Sequence, residues 1–377
     1  MMPTGIPFAM TPARYIMVGG FLGAGKTTAI LRMAEALKGR GHRIGLITND
    51  QSVGLVDTTM LSAHGFPVEE ITGGCFCCRF NSLVDAAERL TAGTRPDVFI
   101  AEPVGSCTDL RASVSYPLRR MYGTAYTVAP LSVVVDPVRA LRALGVEPGR
   151  SFTAKVLYVY RKQLEEAGII LINKIDAIEP DRIATLRAAV AGAYPKARVL
   201  EVSARTGQGL DAWFEILTRD EGATDADLDI DYVTYGEGEA LLGWVNTTVK
   251  LAGADFDGNT LVRDVAARIA GTLSAGGIEI AHLKMTLTPA GDGGDLAVLN
   301  QVRNEQIAEL SHRLDGELSR GELIVNLRAE GDPARLAAAV DAATLDAADA
   351  QSLVVSPVHA EHFRPGQPNP THRLTPV

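Results

Sequence analysis

The chain has 377 residues, 46% of them apolar and 21% charged, with a formal charge of −9. That length predicts two domains with ordinary apolar cores, and the acidic balance argues against a nucleic-acid-binding surface. No apolar run reaches the roughly 20 residues that span a bilayer, and Met1 to Pro12 lacks the basic and apolar regions of a secretory signal. A cytoplasmic location with no membrane partner is therefore expected.

In chain order, residues 15–19 form a buried-strand candidate that feeds a glycine loop. Residues 26–38 read as a helix stopped by Gly39 and Gly41. Further strand candidates are residues 43–48, 98–101, 131–135, 169–172 and 199–202, several continuously apolar as in strands covered on both faces. Their alternation with amphipathic helical stretches predicts an α/β fold, with a mainly parallel sheet and crossover helices, over residues 1–219. The acidic, Gly- and Ala-rich residues 220–231 read as a linker. A smaller C-terminal α+β domain is expected over residues 232–350. Its strands are placed at 243–251, 280–287, 296–303 and 322–328, its helices at 261–273 and 333–343, in a split β-α-β arrangement. Residues 351–377, Pro-rich and polar from Arg364, are expected to be a flexible tail in which His359 and His362 are solvated.

The glycine loop Gly20-Phe21-Leu22-Gly23-Ala24-Gly25-Lys26-Thr27 fits G-x-x-x-x-G-K-[ST] between a strand and a helix, the setting of a P-loop. Gly20, Gly23 and Gly25 let backbone N–H groups, that of Ala24 included, curl around phosphate oxygens. The helix N-terminus adds positive partial charge. Lys26 would neutralise the β and γ phosphates, and the Thr27 hydroxyl would ligate Mg²⁺, with Thr28 near the α-phosphate. Asn173-Lys174-Ile175-Asp176 follows a strand. A carboxylate at Asp176 accepts two hydrogen bonds from guanine that adenine cannot offer. The Lys174 stem can lie on the base, and Asn173 can tie this loop to the P-loop. Ser203-Ala204-Arg205 follows the next strand, where a backbone N–H can meet guanine O6. The nucleotide is thus expected to be GTP. Glu102, at a strand end, is expected to hold Mg²⁺ or orient the attacking water, Gly105 to donate to the γ-phosphate, and Asp50 to be a second acidic candidate.

Cys75, Cys77 and Cys78 offer three thiolates between glycines and the next helix. They form a poor disulfide framework but suit Zn²⁺ or another late first-row ion. Water, Cys107, His64 and Glu70 are all open as a fourth ligand. Buried packing cysteines and a redox role are the competing readings.

Gly-Phe-Leu-Gly-Ala-Gly-Lys-Thr-Thr at 20–28, Gly-Cys-x-Cys-Cys at 74–78, Glu-x-x-Gly at 102–105 and Asn-Lys-x-Asp at 173–176 occur in the order seen in CobW-type metallochaperone GTPases. Gln163-Leu164-x-x-Ala167 is also similar to theirs, and the resemblance covers residues 13–217. It implies a P-loop NTPase fold, GTP hydrolysis with Mg²⁺, and delivery of Zn²⁺ or Co²⁺ from the cysteine motif. The implied partner is a client metalloprotein or cofactor-dependent enzyme, with no nucleic acid; a homodimer is left open. The alternative is a chaperone for a cobalamin-dependent or other metalloenzyme, with the cysteines as a sensor only. The chain departs from the family where Asn49-Asp50-Gln51-Ser52 replaces Asn-Glu-Phe-Gly. It departs again where Pro-Val-Gly-Ser-Cys-Thr-Asp follows Glu102, and in lacking a His-rich tract.

Overall fold

The computed structural model describes residues 12–49, 61–62, 64–221, 228–291 and 295–375. Asp50, residues 222–227 of the linker and residues 376–377 lie outside the described residues. The alternation read from the sequence is borne out. β1 (Ala13–Gly19), β2 (Ile44–Asn49), β3 (Val68–Ile71), β4 (Val98–Glu102), β5 (Tyr126–Val128), β6 (Ser132–Val135), β7 (Ile169–Ile172) and β8 (Arg198–Glu201) form one sheet. Its order is β3-β2-β4-β1-β6-β7-β8, with β5 beside the start of β1, and every pairing is parallel.

Side chains of a strand alternate between faces, and both faces of this sheet are apolar. Tyr15, Met17, Ile47, Phe99 and Val133 enter one core cluster, while Ile16, Val18, Leu46, Ile100 and Val134 enter the other. The covering helices are α1 (Lys26–Gly39), α2 (Phe80–Gly93), α3 (Tyr116–Tyr122), α4 (Pro137–Ala143), α5 (Ala154–Glu165), α6 (Pro180–Ala193) and α7 (Leu210–Arg219). Trp213 of α7 is fully buried and donates from Nε1 to the Ser132 hydroxyl at 2.9 Å.

α8 (Tyr232–Ala240) corrects the expected domain boundary. It packs on α5 of the first domain, so closely that a Cβ on Gly238 would meet the Lys155 carbonyl oxygen at 2.5 Å. The second domain begins instead at β9 (Leu242–Phe256), followed by α9 (Gly258–Ala275), β10 (Ile280–Pro289), β11 (Ala297–Gln301), β12 (Glu309–His312), β13 (Leu318–Glu330), α10 (Pro333–Ala350) and β14 (Val354–Phe363). The sheet order is β12-β11-β10-β13-β9-β14, all antiparallel. β13 lies between β9 and β10, so β9-α9-β10 is the expected split β-α-β unit. Leu283, Met285, Leu287, Leu323, Val325 and Leu327 share an apolar cluster with residues of α9 and α10.

The tail departs from expectation. Residues 354–363 are the edge strand β14, paired along β9, with a register shift at Pro357. An edge strand tolerates a proline because one side of its backbone makes no ladder bonds. His359 and His362 therefore sit on a strand, not in a flexible tail, and both are solvent-exposed as expected. Among the described residues no helix is long and apolar enough to cross a membrane.

A buried cluster of charge ties the two domains together. Asp136 caps α4 by accepting the Arg139 N–H at 3.0 Å, and also accepts from Lys174 at 2.9 Å and from Arg303 at 2.7 Å. Arg139 donates to the carbonyls of Leu22, Ala281 (2.9 Å) and Val302. Burial disfavours the Asp136 charge, but Lys174, Arg303 and Arg139 outweigh it and hold the carboxyl well below its usual range. The unfolded value is about 3.9. The cluster therefore contributes stability above that pH and loses it as the pH falls through the lower folded value. Asp136→Asn should cost about 3–5 kcal/mol near neutral pH and flatten the acid limb of the stability profile, read by urea denaturation across pH. A variant as stable as the parent at pH 7 would contradict this account.

Candidate functional site

The glycine loop leaves the carboxyl end of β1, the central strand, and turns into α1 through Gly25, whose φ is 96°. A Cβ there would meet Asn173 Nδ2 at 2.4 Å, so only glycine allows the close approach. Asn173 exploits it: Nδ2 donates to the Ala24 carbonyl at 2.9 Å, and Oδ1 accepts the Ala204 N–H at 2.9 Å. One amide thus fastens the two post-strand loops to the glycine loop. Lys174, with φ 59°, reaches the Gly23 carbonyl at 2.8 Å as well as Asp136. Asp176 accepts from the Ser203 hydroxyl at 2.5 Å and is paired with Arg205. Burial opposes its ionisation, and Ser203 and Arg205 overcome it, so its pKa is lowered.

Lys26 and Thr27 are buried at the start of α1. β4 lies beside β1 and brings Glu102 to them: Thr27 Oγ1 donates to Glu102 Oε1 at 3.2 Å, and Lys26 Nζ is 3.8 Å from the same oxygen. Two adjacent ligands of octahedral Mg²⁺, each about 2.0–2.1 Å from the ion, lie about 2.9 Å apart. The hydroxyl and carboxylate therefore fit that ion with little adjustment. Gly105 lines the same cavity, its carbonyl held by Gln163 Nε2 at 3.0 Å.

The cavity has a volume of about 650 Å³, within the roughly 300–1,000 Å³ of small-molecule sites. Its floor is the glycine loop, Glu102 and the Asn173–Asp176 loop. Its roof, which sequence reasoning missed, is the helix-free face of the second sheet, with His282, Lys284, Asn326 and Arg328. The signal was present: His282, Lys284 and Thr286 alternate with Leu283, Met285 and Leu287. Alternation alone reads as a face toward water, whereas Lys284 and Arg328 are buried. Arg328 stacks on Trp244, 3.9 Å from its ring centroid, and donates to Asn246 Oδ1 at 2.8 Å.

The cysteine turn follows β3. Gly73 and Gly74 have φ of 74° and 149°, which side chains rarely adopt. The N–H groups of Cys78 and Arg79 both bond the Cys75 carbonyl, at 3.0 and 2.9 Å, winding the chain into α2. The sulfur atoms converge: Cys75 to Cys77 is 2.7 Å, Cys75 to Cys78 is 3.1 Å and Cys77 to Cys78 is 3.7 Å. Hydrogen bonds from Cys107, Cys77 and Cys78 pull the Cys75 thiol well below its usual value. The hydrogen bond to Cys75 pushes Cys78 up to about 11. Among the described residues these three form the one group spaced to share a metal ion. His64 stands instead beside His312, ring centroids 6.3 Å apart, and Glu70 lies on β3.

This site has two neighbours of note. Asn49, at the end of β2, lines the nucleotide-sized cavity and donates from Nδ2 to the carbonyls of Ile71 at 3.0 Å and Gly74 at 2.7 Å. The other neighbour is the segment expected to be a flexible tail. Asn369 N–H donates to Cys78 Sγ at 3.2 Å, Thr371 N–H to the Cys77 carbonyl at 2.8 Å, and the Thr371 hydroxyl to the Cys78 carbonyl at 3.0 Å. Arg373 pairs with buried Asp109 at 2.8 Å, and His372 sits edge-on to Phe80, 5.1 Å away. Pro368, which by composition signalled disorder, is buried and packs against Gly236 of α8.

A parallel sheet whose central strand runs through a glycine loop into a buried Lys-Thr pair, with a carboxylate on the neighbouring strand, defines a P-loop nucleotide-binding protein. Residues 14–201 match the CobW/HypB/UreG nucleotide-binding domain, and through them the chain belongs to that family. It is similar to the zinc chaperone CobW of Pseudomonas aeruginosa, 25% identical over 50% of this chain and 56% of that one. The zinc chaperone CobW of Sinorhizobium is 29% identical over 45% of this chain and 53% of that one. The zinc chaperone YeiR of Escherichia coli is 30% identical over 44% of this chain and 47% of that one. The chain thus spans about half the length of each of these relatives.

The strap over the cysteine turn makes a prediction. Ending the chain after Pro365 should speed alkylation of Cys78 by iodoacetamide several-fold, measured by mass spectrometry of the reduced protein. An unchanged rate would show that residues 366–375 do not shield the thiol.

Proposed function

We propose that this protein is a GTP-hydrolysing metallochaperone that couples its nucleotide state to binding and delivery of a transition metal, Zn²⁺ or Co²⁺, to a client metalloprotein. The observation that carries the reading is Asn49: it lines the cavity over the glycine loop, and its amide holds Gly74 of the cysteine turn. Family membership and relatives named as zinc chaperones support it.

Each residue has a task in this reading. The N–H groups from Gly23 to Thr27 wrap the phosphates, Lys26 neutralises the β and γ groups, and Thr27 with Glu102 would hold Mg²⁺. When bound, Mg²⁺ would neutralise charge developing on the phosphate oxygens. Asp176 selects guanine once Arg205 swings aside, and Lys174 lies along the base. Water attacks the γ phosphorus, the bond to the β-phosphate oxygen breaks, and GDP and phosphate leave. Unaided turnover is expected to be slow, as in switch GTPases that lack an activating partner.

Three thiols must lose their protons to bind the ion, so metal binding releases protons and strengthens as pH rises. Coupling between nucleotide and metal is reciprocal, typically about 1–3 kcal/mol or roughly 5- to 150-fold in affinity. Titrating the reduced protein with Zn²⁺ and Co²⁺ in a non-hydrolysable GTP analogue and then in GDP should give affinities that differ by such a factor. Equal affinities would remove the chaperone reading. Asp176→Asn should weaken GTP and admit xanthosine triphosphate, whose extra carbonyl the amide can meet. Competition titrations in which ATP rivals GTP on the parent protein would remove the guanine assignment.

A further inference from the structure

The cysteine turn supplies three sulfurs, and zinc prefers four ligands. Zinc–sulfur bonds of about 2.3 Å put the sulfurs of a tetrahedral site about 3.8 Å apart. The three observed separations, 2.7, 3.1 and 3.7 Å, are at or inside that edge, so the triangle must open, most along Cys75–Cys77, to hold the ion. What completes the tetrahedron depends on its two sides. On the outer side the strap puts the Asn369 N–H on Cys78 Sγ. On the inner side lies Cys107, 1% exposed, in one buried cluster with Cys75 and Cys77.

We propose that Cys107 is the fourth ligand of a metal ion held by Cys75, Cys77 and Cys78, so that the loaded site is a closed set of four thiolates. The inference rests on the metallochaperone reading and names the regulation of that same site. Phe76, Phe80, Val104 and Leu110 share that apolar cluster with the cysteines, and a thiol already buried in it is a readier ligand there than a water, which needs two to four polar partners. The Cys107 sulfur lies outside the 4.8 Å spacing that the other three share. Ligation therefore requires Cys107 to move closer to the other three.

The loop that carries Cys107 makes the fourth ligand a switch. It starts at Glu102, which is hydrogen-bonded to Thr27, and passes through Gly105 at the cavity wall. Gln163 holds its carbonyls at Gly105 and Cys107, at 3.0 and 2.9 Å. Ser106 donates to Glu239 at 2.6 Å, and the Thr108 N–H to the Tyr235 hydroxyl at 3.1 Å, anchoring the loop to α8. A shift of Glu102 between Thr27 and a bound Mg²⁺ moves the start of a loop whose sixth residue is Cys107. Ligation of Cys107 releases one more proton than the other three thiols do, and its withdrawal leaves an ion on three thiolates with one position open to a client's ligand.

The test uses the reduced full chain loaded with Co²⁺ in the presence of a non-hydrolysable GTP analogue. X-ray absorption should count four sulfurs in the parent and three in Cys107→Ser and Cys107→Ala. The thiolate-to-cobalt charge-transfer band should fall by roughly a quarter and Co²⁺ affinity by about tenfold or more. Circular dichroism and retained GTP binding confirm that the variants are folded. Because the parent alone answers the question, three sulfurs there, or a spectrum unchanged by both substitutions, overturns the assignment of Cys107 while leaving the metal site intact. A parent protein that gives no thiolate–cobalt band overturns both this inference and the metallochaperone reading.

Discussion

The constraint on which the rest of the structure depends is the buried contact of Asp136 with two arginines and a lysine. One carboxylate receives Lys174 from the Asn173–Asp176 loop, Arg303 from the turn between β11 and β12 and the N–H of Arg139 from its own helix. Arg139 in turn clamps the carbonyl of Leu22 in the glycine loop to those of Ala281 and Val302, while its guanidinium stacks 5.3 Å from Phe21 and 5.2 Å from Phe152. Taking so many charges out of water costs more than it returns unless every lone pair is used. Here the geometry that uses them is the geometry that sets the second sheet over the glycine loop. The roof of the cavity follows from this cluster together with the apolar contact that Leu242, Trp244 and Ala281 make with the first domain's core.

The cavity between the domains and the cysteine turn are not independent features. β2 and β4 flank each other in the sheet, so Asn49 and Glu102, at their carboxyl ends, come out side by side. One holds the glycine turn before Cys75, and the other begins the loop that ends beneath it. The cavity wall and the cysteines are thus joined by two short pieces of backbone, each pinned by side-chain amides. Such pieces have few alternative arrangements, and that is what a two-state device requires.

The sequence made the first domain legible because its signals are local. The glycine loop needs its strand and helix within a dozen residues, and the apolar runs at 98–101 and Ile169–Ile172 can hardly be anything but strands covered twice. Asn173 fastening its loop to the glycine loop followed from the same logic. What stayed hidden depends on distant partners. Nothing near Asp136 in the chain marks it as the meeting point of Lys174 and Arg303. Tyr232–Ala240 carries Gly236 and Gly238, which weaken a helix in isolation and here permit close packing on α5 and the strap. Residues 364–375 read as disordered because prolines and polar groups cannot build a core of their own. They are ordered by a core that others built, with Pro365 and Pro368 buried in it.

The strap also bears on how the protein is handled. Leu374 N–H bonds the Ala112 carbonyl at 2.9 Å, three residues after Thr371 has bonded the backbone of Cys77 and Cys78. Whatever is fused to this end of the chain is therefore tethered only a few residues from the strap's contacts with Cys77 and Cys78. A polyhistidine purification tag in that place would bring imidazoles near the cysteine turn, where they would compete with Cys107 for the proposed metal ion, and metal stoichiometries measured with it would describe a hybrid of protein and tag. Tags on the other end of the chain, or removed before metal is added, leave the native ligand set to speak for itself.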